Sequence, residues 1–298
     1  LGGAGVGWRI RCLRAGKRKH RERPRKNRSE TMKVNPRVGL EDVRQVYSGP
    51  EGDLWELVMG EQIHIGGLTS SLDLAEKAGI REGWKGVDLC CCNGAGMRFL
   101  VRFRKAASMT GVDATEKVIQ RGKEYTKAEG LEEKIRFVHA EATDTGLPGG
   151  EADFVWGEDA WCYVENKEKL ITEAARLVKP GGVIAFTDWV EGPAGLSDEE
   201  ADRFLTFMKF PSVQDIPGYK GLLEKNGCKV LRAEDTGRFA PYVDLYLGML
   251  GKQLTYDALK IIGFDEELFG TLAGEMAFLG ELAKAGKIAQ GLFVGVKE

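Results

Sequence analysis

Between residues 85 and 190, short apolar runs alternate with stretches whose apolar residues recur at helical spacing. The runs at Val87–Cys90, Met109–Val112, Ile135–His139, Ala152–Gly157 and Val183–Asp188 predict strands. The stretches Met97–Arg104, Glu116–Glu129 and Lys167–Val178 predict helices; Gly130 ends the second, and Lys179-Pro180-Gly181-Gly182 ends the third. Strands separated by helices at this spacing predict a parallel, doubly wound α/β sheet.

The flanks are less regular. Val38–Gly67 reads as helical or irregular, and Ser70–Ala78 predicts a short helix. Residues 32–80 are therefore expected to form an N-terminal helical segment closing over a site built by residues 81–298. Residues 190–220, with Pro193, Pro211 and Pro217, interrupt the alternation and hold one helical stretch, Asp198–Lys209. An insertion this late in an α/β sheet is expected to cover a binding site. The pattern resumes with a helix at Gly218–Asn226, a strand at Lys229–Ala233, a helical block over 244–285 and a last strand at Leu292–Lys297. No internal repeat is present.

Composition adds exclusions. The 298 residues are 43% hydrophobic and 30% charged, as in ordinary globular chains. No apolar run approaches the ~20 residues a membrane-spanning helix needs. Six cysteines, three of them contiguous, do not form a secreted disulfide pattern, so a reducing, cytoplasmic setting is expected. The net charge of −2 is split unevenly. Residues 1–31 hold 11 Lys and Arg against Glu22 and Glu30, so the rest of the chain is acidic and offers no general basic surface for nucleic acid. The segment GKRKHRERPRKNR fits a nucleic-acid arm or a targeting peptide. The first methionine is Met32, and the favoured expectation is that the basic tail is disordered and lies upstream of the native start.

The chemistry concentrates in Asp88-Leu89-Cys90-Cys91-Cys92-Asn93-Gly94-Ala95-Gly96. Gly3-Ala4-Gly5-Val6-Gly7 looks more like a nucleotide-binding pattern but follows no strand, so it lacks the strand-to-helix context such loops require. The cysteine loop has that context, and small side chains there let the backbone approach a ligand at a helix N-terminus. Where Cys90 or Cys92 needs a positive φ, its Cβ costs roughly 1–2 kcal/mol. Adjacent thiols in extended backbone diverge and no CxxC or HxxxH spacing completes a ligand set, so no metal is expected. Asp113 closes the next strand, where an acidic residue bonds ribose hydroxyls. Glu141-Ala142 follows the third strand.

The ordered motifs VDLCCCNGAG, GVDAT, HAEATDTGLP, ADFVWGEDAWCYV and LVKPGGVIAFTDW resemble those of class I S-adenosylmethionine-dependent methyltransferases. MGEQIHIGG, GMRFLVRF and VWGEDAW resemble stretches of the branch that methylates glycine, sarcosine and dimethylglycine. The resemblance implies a Rossmann-like, mostly parallel seven-stranded sheet with an antiparallel last strand and a helical cap or insertion. It implies S-adenosylmethionine as cofactor, held by Asp88, Cys90, Cys92, Gly94, Asp113, Ala114, Glu141 and Ala142, with Glu158 and Trp161 near the sulfonium. His64, Glu158 and Tyr163 are the candidate catalytic residues; the family often has His at the last of these. His64, Trp189, Tyr219 and Arg238 are candidates for the acceptor, Arg238 for a carboxylate, and Trp156 is a further candidate aromatic. The implied acceptor is a small-molecule amine; the alternatives are oxygen, carbon or sulfur acceptors such as a phenol, quinone or thiol. Gly157-Glu158-Asp159-Ala160 stands where enzymes that methylate nucleic-acid bases carry an Asn/Asp-Pro-Pro-aromatic run, which argues against that substrate. A nicotinamide dehydrogenase fits LVKPGG and the long C-terminal part poorly, and a non-enzymatic cofactor-binding scaffold has only the cysteine loop in its favour. The readings leave no membrane partner and allow a homodimer.

Overall fold

Strands and helices alternate through the middle of the chain as the apolar pattern predicts. The computed structural model describes residues 32–298, so the basic N-terminal stretch lies outside the described residues. In chain order the elements are β1 (Lys33–Val34), α1 (Leu40–Ser48), α2 (Pro50–Met59), α3 (Gly67–Lys77), β2 (Lys85–Leu89), α4 (Ala95–Phe103), β3 (Ser108–Asp113) and α5 (Glu116–Ala128). There follow β4 (Ile135–His139), β5 (Ala152–Glu158), a 3₁₀ turn at Trp161–Tyr163, α6 (Lys167–Leu177), β6 (Val178–Glu191), α7 (Asp198–Met208), β7 (Ser212–Asp215) and α8 (Ile216–Lys225). The chain ends with β8 (Cys228–Asp235), α9 (Phe239–Leu250), α10 (Thr255–Ile261), α11 (Glu266–Lys284) and β9 (Ile288–Lys297).

The seven predicted strands form one sheet in the order β4-β3-β2-β5-β6-β9-β8. All run parallel except β9, which is antiparallel to both β6 and β8. The strand order reverses at β2, which pairs in parallel with β3 on one side and β5 on the other. Ligands bind at the carboxyl ends of strands flanking such a switch point. Apolar clusters fill both faces of the sheet: Leu89, Val155, Trp161 and Phe186 belong to one, and Met97, Leu100, Phe154 and Trp156 to the other.

Two elements depart from the sequence pattern. β6 runs on to Glu191 because β9 pairs with it as far as Glu191–Ile288, so the insertion begins later than expected. That insertion holds a short strand, β7, which joins β6 through Val190 and Glu191 and is capped at the sheet edge by β1. Strands this short carry no legible alternation. The N-terminal helices are pinned to the sheet's flank through α5. Arg121 bonds Glu56 and Asp53, each at 2.7 Å, and the Tyr125 hydroxyl donates to Glu56 at 2.8 Å. Among the described residues, no helix is long and apolar enough to cross a membrane.

Candidate active site

The cysteine loop is left-handed at the two positions where the resembled family has glycine. Cys90 has φ +62° and Cys92 φ +47°, and Gly94 follows at +77°. The chain turns sharply off β2 and enters α4, with Gly94 as N-cap. Cys91 is buried, its Sγ packed beside Gly111 near Met97. Burial pushes all three thiols upward, Asp113 adding to the effect, so each is held as a neutral thiol. A β-carbon in this region costs roughly 1–2 kcal/mol, while glycine adds back roughly 0.5–1 kcal/mol of unfolded-state entropy. Cys90→Gly and Cys92→Gly are therefore each expected to raise the melting temperature by about 1–3 °C in thermal denaturation and to keep cofactor binding. Lost binding in both would give the thiols a specific role.

Asp113 secures the loop from the neighbouring strand. Its Oδ2 accepts from the Cys92 amide at 2.9 Å and its Oδ1 from the Thr115 amide at 2.8 Å. Burial raises its carboxyl; those bonds work in the opposite direction.

A cleft of about 520 Å³ opens over the loop. Leu40, Val43 and Tyr47 of α1 form one wall, and residues 61–64, between α2 and α3, form another. Asp88, Asp113, Glu141, Glu158 and Asp159 all line the cleft, whereas Lys169 is the one Lys or Arg among the described lining residues. Gly96 gives the carboxylates room: a Cβ there would lie 2.7 Å from Glu158 Oε2 and 3.3 Å from Asp88 Oδ2. Burial pushes the Asp88 carboxyl well above the usual range, and the charges of Glu158 and Asp113 push it further. This setting suits a cationic ligand whose backbone-facing part needs the space a glycine leaves.

A stability prediction follows from Asp88. A carboxyl raised in the folded state binds more protons folded than unfolded, so stability falls as pH rises from the ordinary Asp range through the raised value. Asp88→Asn is expected to raise the melting temperature of cofactor-free protein above pH 7 and to weaken binding of a cation. Thermal denaturation across pH, with and without S-adenosylmethionine, checks both signs.

Glu158, the last residue of β5, anchors a buried network. Its Oε1 accepts from the Ser71 hydroxyl at 2.6 Å and lies 3.3 Å from His64 Nε2. The Ser71 Oγ is also 3.2 Å from His64 Nε2 and accepts from Gln62 Nε2 at 3.1 Å. The single Ser71 proton goes to Glu158, so in this network His64 Nε2 is a donor and Nδ1 carries the lone pair. Nδ1 is buried and has no partner among the described residues. Asp159 fixes the segment behind the imidazole: its carboxylate accepts from the Ile65 amide at 2.8 Å and from Gln290 of β9 at 2.8 and 3.0 Å.

The structure brings Asp88, Cys90, Cys92, Asp113, Ala114, Glu141, Ala142, Glu158, His64 and Tyr163 together on the cleft; Gly94 caps the helix beneath. Tyr163 pairs with Tyr47, which donates to its hydroxyl at 2.9 Å with the rings edge-on. Burial pushes both phenols well up. The other candidates lie off the cleft. Trp161 is fully buried, stacked on Phe186 at 4.0 Å, with its indole N–H on the Leu89 carbonyl at 3.2 Å. Trp156 is core as well. Trp189 packs among Phe204, Phe210 and Phe239. The Tyr219 hydroxyl donates to buried Asp188 at 2.5 Å, and Asp188 is pushed up to about 6, chiefly by burial. Arg238 is held by Asp73 through Nη2 at 2.5 Å and is not among the residues that line the cleft. Aromatic type alone does not reveal which face a side chain takes. Tyr47, Gln62, Ser71 and Asp159 escaped the sequence reading of the site; Gln62 and Asp159 carried a signal, lying beside His64 and Glu158 in the motifs MGEQIHIGG and VWGEDAW.

A parallel sheet with an antiparallel seventh strand, opening at its switch point into an acidic cleft, defines the class I methyltransferase fold. Residues 87–186 match the methyltransferase-domain family model. Among curated proteins, the methyltransferase GfsG of Streptomyces halstedii is 25% identical over 211 residues, 66% of this chain and 75% of that one. Among solved structures, a protein provisionally named as a sarcosine dimethylglycine methyltransferase from Galdieria sulphuraria aligns with TM-score 0.75 and 22% identity over 84% of this chain and 98% of that one. Phosphoethanolamine N-methyltransferase 2 of Haemonchus contortus, solved with phosphomonomethylethanolamine and S-adenosylhomocysteine, aligns with TM-score 0.76 and 18% identity over 85% of this chain and 58% of that one. The chain is an S-adenosylmethionine-dependent methyltransferase.

Proposed function

We propose that the chain transfers a methyl group to the amine of a small molecule of the glycine, sarcosine or dimethylglycine kind. The observation that carries this reading is the Glu158–Ser71–His64 network facing the cleft beside Asp88. Two proteins of similar fold bear names of amine methyltransferases.

When bound, S-adenosylmethionine supplies an electrophilic methyl group on a sulfonium, and the reaction is an in-line displacement in which positioning carries much of the rate. Asp113 takes the ribose hydroxyls with the lone pairs its backbone bonds leave free. The loop amides and Asp88 face the methionine portion, and Glu141, Ala142 and Ala114 border the adenine. His64 Nδ1 accepts the proton of an ammonium or amine acceptor directly or through water, and Glu158 stabilises the imidazolium through Nε2–H. Tyr47 and Tyr163 present aromatic rings to a methylated ammonium, at ~0.5–2 kcal/mol per contact. Lys169, rather than Arg238, is the cation available to an acceptor carboxylate. Residues 32–80 serve as the lid.

Formation of S-adenosylhomocysteine, followed by mass spectrometry with glycine, sarcosine, dimethylglycine, ethanolamine derivatives, phenols and thiols, tests the reading. Turnover of an amine is expected. Turnover confined to a phenol or thiol would replace it with the oxygen or sulfur reading.

A further inference from the structure

A second cavity, of about 60 Å³, lies between α2, α7 and the helices α9–α11. It is lined by apolar side chains, among them Trp55, Phe207, Phe269 and Met276, and Glu51 is the only ionisable residue among the described lining residues. One water needs about 10–15 Å³ by a comparable measure, so this space holds several carbon atoms.

It neighbours the cleft across α2, with no lining residue in common. Helix α2 lines the cavity through Leu54, Trp55 and Val58, while the chain just before it (Tyr47) and just after it (residues 61–64) lines the cleft. From the other side, Tyr163 lines the cleft and packs edge-on against Phe210 at 4.8 Å, in the same apolar cluster as Trp55, Phe207 and Met276. Glu51 faces the cavity, and its charge is one of those that raise the Tyr163 phenol. Helices α9–α11 sit between β8 and β9, outside the sheet that builds the cofactor cleft, yet they close this space with Leu250, Ala258 and Phe269.

We infer that this cavity is the subsite for a hydrocarbon arm of the methyl acceptor, whose reacting group lies beside Tyr163 and His64. The inference rests on the methyltransferase reading of the cleft and extends its acceptor beyond glycine-sized amino acids to amines that carry a hydrocarbon arm. Among the described lining residues no Lys or Arg offers a partner to a phosphorylated or carboxylated arm; Lys209, whose charge acts on Glu51, is not one of them.

The test is calorimetric titration of the full chain, saturated with S-adenosylhomocysteine, with the n-alkylamines from ethylamine to hexylamine. The same series is run on Ala273→Phe and, as a milder filling variant, Ala258→Leu. Melting temperature and S-adenosylhomocysteine affinity establish that each variant is folded. In the parent protein, affinity is expected to rise about three- to fourfold per methylene until the cavity is full. In the filled variants the rise is expected to flatten. A parent series with no dependence on chain length, or an equal rise in parent and folded variants, overturns the subsite. If no amine binds, the n-alkanols of the same lengths are titrated. A length dependence there that filling abolishes keeps the subsite and removes the amine reading; a flat series removes the subsite itself.

Discussion

Glu158→Gln is expected to weaken S-adenosylmethionine binding about tenfold, to leave S-adenosylhomocysteine within about twofold, and to lower kcat by about 10²–10³. The two ligands differ by the sulfonium charge and its methyl group. Glu158 Oε2 reaches the space over Gly96 where Asp88 also points, so its charge acts on whatever cation lies there. Two unit charges 4 Å apart interact by about 4 kcal/mol at an effective dielectric constant near 20. Screening by the remaining carboxylates and by solvent reduces that to the order of the ~1.4 kcal/mol behind a tenfold change. The loss in kcat has a separate origin. A glutamine must turn its carbonyl toward the Ser71 hydroxyl to keep that bond, and it then has no charge to stabilise a protonated His64. Losing proton-transfer support costs typically 10²–10⁴-fold. Calorimetry with both ligands and initial rates with the acceptor found by turnover read the two effects separately. Equal weakening of both ligands would reduce Glu158 to a packing residue.

The same network shows what sequence can and cannot reveal. Asp113 and Glu158 end β3 and β5, the strands on either side of β2, and their places follow from where each apolar run stops; Asp88 lies one residue from the end of β2. The half of the cleft built by strand ends was legible for that reason, since strands announce themselves. The other half is built by α1 and the loop between α2 and α3, with α3 behind it, and their residues meet the sheet only through the fold. Ser71 lies 87 positions from Glu158, and no local pattern distinguishes it from Ser70 beside it in α3, which is also buried. The reverse failure has the same cause. Family resemblance and aromatic type place Trp161, Trp189 and Tyr219 near the cleft, yet each turns into the core, where Phe186, Phe204 and Asp188 provide stacking or a hydrogen bond. The loop strain was half legible: substitution of glycine marked Cys90 and Cys92, and the structure adds that both positions have positive φ.

Asp113→Asn is expected to cost cofactor affinity at least about 100-fold and to lower stability by about 1–3 kcal/mol, although the two side chains have nearly the same shape. Both carboxylate oxygens of Asp113 accept a backbone N–H, from Cys92 on one side and Thr115 on the other. An asparagine offers one acceptor and one NH₂ group, so whichever way it turns, one amide donor faces another donor. A buried N–H left without a partner costs about 1–3 kcal/mol. If the abandoned donor is Cys92, the left-handed turn loses the bond that helps hold it at positive φ, and the loop backbone moves from its position over the cleft. If it is Thr115, the residue that caps α5 is released instead. The ribose contact weakens in either case, because one oxygen no longer has a lone pair and a charge to offer. Thermal denaturation measures the first loss, and titration with S-adenosylhomocysteine the second. An asparagine variant that is less stable but binds with unchanged affinity would make Asp113 a brace for the loop and move the ribose contact to another residue.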